Sequence, residues 1–470
     1  MKKVILFCII VLLLMSGINV IATGQQSPLK YNTSLDDHYD LLIITPTNFI
    51  DELIPLKNHK EQHELPTIIV TLDDIYNNTY FPSNGRDNPE KIKNFIKNAL
   101  DEWNISYVLL VGGKNEMPVR YSNAPINSGQ FISDVYYADI YDRNGSFCSW
   151  DSNNNSVFGE LGYNTAIDDV DLYPDICIGR ILCQTSDEVT IVVNKIIDYE
   201  NHAFGSEWFS NLILCGGDTH PYTWEELLLS IAFKNITGLH YRPAWEGEYM
   251  GNQVANCLDT FTAKKFYSSG LFGVRAKSLT NRNINQAIND GAGFLLFSMH
   301  GSPTKIVTYP PFNKKQWIQL PFPSGYNISE VQHLTNGGKL PVAVFCACSN
   351  GDFDTVPDPI AWAFVQQSTG GSIASFALTT EGNLFPTTMY TETLSGHTTM
   401  SVFKAYADGV NCLGKIWAET ITRYLDDKTA WSVSEHLIDN NGASTNWVNY
   451  VALEQWILFG DPSLRIGGYP

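Results

Sequence analysis

Short apolar runs alternating with longer segments of helical periodicity constrain this chain more than any other feature. Residues 41–45, 67–71 and 107–111 are almost continuously apolar, the pattern of parallel strands covered on both faces. Between them, residues 49–64 and 89–103 repeat their apolar side chains at helical spacing,. A βαβαβ start follows, and with it an α/β fold of mainly parallel sheet covered by helices. The alternation resumes with strands expected at 175–181, 211–215, 293–299, 340–347 and 371–377. Helices are expected at about 186–201, 224–234, 283–289 and 360–367. The weakest seam is 204–207, where Gly205 breaks the chain between helix and strand,. It divides residues 25–205, an N-terminal α/β lobe, from a second lobe at 206–470.

Residues 1–24 have the layout of a secretory signal peptide: Lys2 and Lys3, an apolar run from Val4 to Met15, then small or polar residues at Ala22, Thr23 and Gly24,. A retained membrane anchor is the alternative, but the run is shorter than the ~20 residues a spanning helix needs. The chain is therefore expected outside the cytoplasm, secreted or at the cell surface, with no membrane association beyond an uncleaved signal. Sequons at Asn32, Asn77, Asn104, Asn144, Asn154, Asn235 and Asn327 agree with export but arise readily by chance in an Asn-rich chain,. A formal charge of −19 excludes nucleic acid as a partner, because no basic stripe could neutralise phosphates,.

Eight cysteines follow the leader, at positions 148, 177, 183, 215, 257, 346, 348 and 412. Several lie inside apolar runs, where a free thiol packs as a small core residue, so few disulfides are expected. No CxxC spacing offers a zinc site, and no metal ligand set can be named.

Two of the expected strands end in reactive side chains: GFLLFSMHGS in His300 and PVAVFCACSNGDF in Cys348. Peptide hydrolysis by a thiol needs a nucleophile, a group to protonate the leaving amine, and donors for the developing oxyanion. Cys348 and His300 suit the first two roles. The backbone N–H groups of Gly301 and Cys348 suit the third, glycine admitting a substrate carbonyl close to the backbone. Taken singly, a cysteine ending an apolar strand is usually core packing and a histidine before Gly-Ser a turn residue. Cys346, two residues before Cys348, projects to the same strand face and competes for the role of nucleophile.

HGS at 300–302, ACSNGDF at 347–353 and FGDPSL at 459–464 resemble signature segments of the gingipain family of cysteine peptidases, family C25 of the caspase-like clan. YDLLIITPTNF, YVLLVGGKNEMPVR, SDVYYADI, ICIGRILCQTSDEVTIVVNKIIDYE, VQHLTNGGKLP and GGSIASFAL resemble that family's catalytic domain in order, across most of residues 38–466. The resemblance implies a caspase/gingipain-like fold of two lobes, the second of them catalytic, and an acyl-enzyme mechanism acting on protein or peptide substrates without a required cofactor. It implies His300 as general acid, Cys348 rather than Cys346 as nucleophile, and Gly301 and Cys348 as oxyanion donors.

Less securely transferred are an acid that orients the histidine, for which Asp218 is the nearest match, and an acidic S1 pocket favouring basic P1 residues. Glu225, Glu226 and Glu381 are the candidates for that pocket. Acids at a helix N-terminus, favoured by the macrodipole, explain Glu225 and Glu226 equally well. Structural calcium, which the family binds, would draw on the acidic excursion at 133–171 with Asp134, Asp139, Asp142, Asp168, Asp169 and Asp171. No EF-hand spacing is present, and a solvated loop is the alternative. The Pro- and aromatic-rich stretch 308–326 is expected at the rim of the cleft. Neither a long propeptide nor a following immunoglobulin-like domain is expected. Two other functions stay open: an inactive relative serving as a surface binding module, and a thiol transpeptidase in which an amine resolves the acyl-enzyme.

Overall fold

The computed structural model describes residues 38–125, 129–162, 166–221, 223, 225–226, 228–229, 232, 245–272, 276–309, 325–382, 390–435 and 447–470. The expected signal peptide, most of the helix at 224–234 and most of the 308–326 stretch lie outside the described residues. Residues 38–470 form one compact unit.

Its centre is an eleven-stranded, mostly parallel sheet, an α/β architecture. The strands are β1 (Leu41–Thr45), β2 (Thr67–Thr71), β3 (Tyr107–Val111), β6 (Cys177–Ile181), β7 (Asn211–Gly216), β8 (Thr262–Tyr267), β9 (Lys277–Ser278), β10 (Phe294–Ser298), β14 (Val342–Cys346), β15 (Ala374–Leu378) and β16 (Trp456–Phe459). They run in the order β2-β1-β3-β6-β16-β15-β14-β10-β7-β8-β9. Two short strands, β4 (Tyr121–Asn123) and β5 (Gln130–Ile132), pair separately, as do β11 (His300–Ser302), β12 (Lys305–Val307) and β13 (Tyr326–Asn327). Every residue of β1, β3, β10, β14 and β15 is buried, which explains why their sequences read as unbroken apolar runs rather than alternating ones.

Several helices begin on side chains that satisfy their first free N–H groups. Asp87 accepts the Glu90 amide ahead of the helix Asn88–Trp103, Thr185 that of Glu188 ahead of Ser186–His202, and Thr280 that of Asn283 ahead of Asn281–Asp290.

The seam at Gly205 falls where the chain leaves one half of the sheet, β2-β1-β3-β6, for the other. β16 then returns from the far end of the chain to join the halves, antiparallel to β15 and parallel to β6. Just beyond it, Asp461 meets the fully buried Lys60 at 2.7 Å, and Lys60 also meets Glu200 at 2.8 Å. One cation thus ties together the helix Ile50–Gln62, the helix Ser186–His202 and the FGDPSL segment. Burial alone would lower the Lys60 pKa, but Asp461 and Glu200 outweigh it and hold the ammonium charged,.

The acidic excursion folds over the same half of the sheet. Asp134 makes a bidentate pair with Arg180 of β6, both bonds 2.7 Å. Asp139 accepts the Trp150 indole N–H at 2.7 Å, and Asp142 accepts the amides of Asn144 and Ser146. Asp168 accepts the amides of Ser152 and Glu160, and Asp171 that of Tyr173. Among the described residues no group of three or more His, Cys, Asp or Glu side chains is arranged to hold a metal ion. No helix among them is long and apolar enough to cross a membrane.

Candidate active site

The site lies at the carboxyl ends of β10 and β14, adjacent parallel strands whose register pairs Ser298 with Cys346. The Met299 amide still donates to the Cys346 carbonyl at 3.2 Å. Beyond that point the chains diverge. His300 enters the β11–β12 hairpin, opposite Val307. Cys348 enters a tight turn in which Ser349 takes a left-handed conformation (φ 55°), its amide donating to Thr380 O and that of Gly351 to Leu378 O, each at 2.9 Å.

Between the two strand ends, Gly301 is in close contact with the Cys348 turn. A Cβ at this position would lie 2.5 Å from the Cys348 carbonyl oxygen, so no other residue fits without displacing main chain. Burial raises the Cys348 thiol pKa and the nearby Glu381 carboxylate adds to the rise. Hydrogen bonding at the backbone of Gly382, Cys348 and Gly301 pulls the other way. The Gly301 and Cys348 N–H groups are the donors expected for an oxyanion, and Gly301 packs directly against the main chain of Cys348. The Cys348 thiol points at the Gly382 carbonyl, 3.7 Å away.

His300 Nε2 donates to the Thr219 carbonyl at 2.8 Å. That bond selects the tautomer with its proton on Nε2 and leaves Nδ1 as the acceptor. Burial lowers the imidazole pKa, only partly offset by the Thr219 bond. Burial thus disfavours charge on both side chains,. Tyr309 packs edge-on to the ring and His220 lies 6.1 Å from it.

The other expected residues fall at different distances from this centre. Asp218 is buried in the loop after β7, its amide bonded to Thr308 Oγ1 at 2.7 Å. It directly precedes Thr219, whose carbonyl holds the imidazole. Glu226 and Thr223 bond reciprocally: the Thr223 amide to Glu226 Oε2 at 2.9 Å, the Glu226 amide to Thr223 Oγ1 at 3.3 Å. This is the capping box of a helix start, and Glu225 beside it is exposed. Glu381 is exposed and adjoins Gly382, next to the sulfur. Cys346 is buried within β14, where burial pushes its thiol up to about 11.

Four residues escaped the sequence reading. Thr219 acts through its main chain, which carries no side-chain signal. Glu246, fully buried at the start of the helix Glu246–Cys257, has its carboxylate 3.9 Å from His220 Nδ1. Gly247 beside it abuts the end of β10, where a Cβ would lie 2.1 Å from Ser298 O. An acid at a helix start was the available clue, and Glu225 and Glu226 presented the same one. Asn350 stood within the ACSNGDF motif without an assigned role.

Known proteins share this architecture. A family model described as Peptidase family C25 matches residues 34–467. Gingipain R2 of Porphyromonas gingivalis is 22% identical over 316 residues, covering 67% of this chain and 32% of that protein. Gingipain R1 of the same organism is 20% identical over 320 residues, covering 67% of this chain and 24% of that protein. The chain thus spans a third or less of the length of these relatives. The crystal structure of the Arg-specific cysteine proteinase gingipain R superposes with a TM-score of 0.60 at 18% identity, over 91% of this chain and 78% of that one. The complex of Porphyromonas gingivalis RgpB pro- and mature domains gives 0.61 at 18% identity, over 91% and 79%.

Proposed function

The chain belongs to peptidase family C25, and from that premise we propose that it is an exported cysteine endopeptidase working through Cys348 and His300. The Cys348 sulfur attacks the scissile carbonyl while its proton passes to His300 Nδ1. The Gly301 and Cys348 N–H groups receive the developing oxyanion. The imidazolium then protonates the leaving amine, and water resolves the acyl-enzyme with His300 as base. The observation that carries this reading is the placement of Cys348 and His300 just past the ends of adjacent parallel strands, with Gly301 packed against the Cys348 carbonyl and the imidazole tautomer set by Thr219.

A basic P1 residue is the preferred substrate feature. Glu381 adjoins Gly382, whose carbonyl faces the sulfur, and buried Glu246 lies 3.9 Å from His220 Nδ1; gingipain R, which shares the fold, is an Arg-specific cysteine proteinase. Export rests on residues 1–24. Asp218 supports the imidazole through the adjoining Thr219 carbonyl.

The test is cleavage of peptides bearing Arg, Lys, Asn or Asp at P1 by the wild type and by Cys348→Ala. Cleavage after Arg or Lys that vanishes in the variant is expected. Activity that survives Cys348→Ala would remove the thiol mechanism, and products carrying an added amine acceptor would mark transfer rather than hydrolysis.

A further inference from the structure

We propose that Asn350 is a positioning residue that holds the His300 hairpin against the nucleophile turn; the proposal rests on the dyad reading above. Asn350 is fully buried two residues after Cys348. Its Nδ2 donates to the Ser302 carbonyl at 2.6 Å and approaches that of Lys305 at 3.4 Å. These carbonyls bracket the turn between β11 and β12. Only the amide nitrogen can face two acceptors, so the orientation of the side chain is determined. Its Oδ1 takes no hydrogen bond among the described residues.

The amide lies against Gly301: a Cβ there would be 2.9 Å from both Nδ2 and Oδ1, so the glycine meets the end of the side chain that carries both heteroatoms. The same amide therefore packs against Gly301 and anchors the turn that follows it. The helix Ile360–Gln366 joins the assembly through its first two amides, Ile360 N–H donating to Pro303 O at 2.7 Å and Ala361 N–H to Asn350 O at 3.1 Å. Serine is too short to span from Cα to both carbonyls, an aspartate would oppose oxygen to oxygen, and leucine supplies no donor.

Covalent continuity with β10 and pairing with β12 keep the hairpin in place without the amide. What the amide adds is the separation of Gly301 and His300 from the sulfur. A displacement of about 1 Å at a reacting centre costs on the order of 100-fold in rate.

The experiment compares wild type with Asn350→Leu and Asn350→Asp, and with the smaller Asn350→Ser should the leucine variant not fold. Two quantities are read at a temperature where each variant is folded: kcat and KM per titrated thiol, and the pH midpoint of Cys348 alkylation by iodoacetamide. We expect kcat to fall about 10- to 100-fold with KM within about twofold of wild type. The alkylation midpoint should move upward, because the Gly301 N–H that stabilises the thiolate is misaligned. A folded variant with wild-type kcat and midpoint, even with a lowered melting temperature, would overturn the proposal. The alkylation arm decides without any substrate. Cleavage that persists in Cys348→Ala would instead overturn the dyad reading, whatever the Asn350 variants do.

Discussion

His300 and Cys348 stand at the same offset, two residues each, beyond a pair of directly facing residues, Ser298 and Cys346, on adjacent parallel strands. The pairing ends there, and each chain carries its side chain just past the carboxyl end of its strand. The imidazole and the thiol are consequently delivered to one edge of the sheet although 48 positions separate them in sequence.

The two neighbouring cysteines should behave oppositely. Cys348→Ala should lower kcat by about 10³-fold or more, since it removes the atom that bonds to substrate. Cys346→Ser should leave kcat within a few-fold but reduce stability by about 1–3 kcal/mol, because a hydroxyl replaces a thiol in a buried strand. Steady-state kinetics and urea unfolding check both, and the reverse pattern would make Cys346 the nucleophile.

The pH dependence of cleavage should carry the mark of burial. His300 is shifted below the ordinary imidazole value of 6.5, so it stays an unprotonated base to lower pH than a solvated histidine. The acid limb of kcat/KM is expected below 6.5 and absent from Cys348 alkylation in His300→Ala. An acid limb above 6.5 would mean that the imidazole is stabilised as a cation.

Lys60→Met should destabilise the fold by about 3–5 kcal/mol, measured by urea unfolding, because Glu200 and Asp461 would remain buried without their shared cation. Adding Glu200→Gln and Asp461→Asn should recover part of the loss. No recovery would show that the packing of the lysine stem, rather than its charge, holds the three segments together.

Glu454 provides a second pH signature. It is fully buried, the Ser122 hydroxyl donates to it, and burial raises its pKa from 4.5 to about 8. The folded state therefore holds this proton more tightly than the unfolded state does. Its contribution is complete below about pH 4.5 and is lost as pH rises toward 8, at up to about 1.4 kcal/mol per unit. Glu454→Gln, which stays neutral, should flatten the stability profile between those limits. An unchanged slope would assign it to other groups.

Much of the framework was legible before folding because local chemistry writes it. Strands buried on both faces must be apolar throughout, so β1, β3, β10 and β14 were readable from their runs, and Thr185 and Thr280 mark helix starts through their own hydroxyls. β16 was not readable as the strand that joins the two halves of the sheet. Nothing in WILF says that it pairs with Ala374–Leu378 on one side and reaches Arg180 on the other, since pairing is a relation between distant segments.

The site divides along the same line. Sequence by itself determined which side chains could do thiol chemistry, His300 and Cys348 at strand ends with Gly301 beside them, because residue type and strand periodicity are local properties. Tertiary structure alone decided that Thr219 offers its carbonyl to the imidazole, that Glu246 is buried near His220, and that Asn350 spans from the Cys348 turn to the hairpin. Those contacts depend on distance and orientation across the sheet edge, and hydrogen bonds made by main-chain atoms carry no residue identity for a sequence to display.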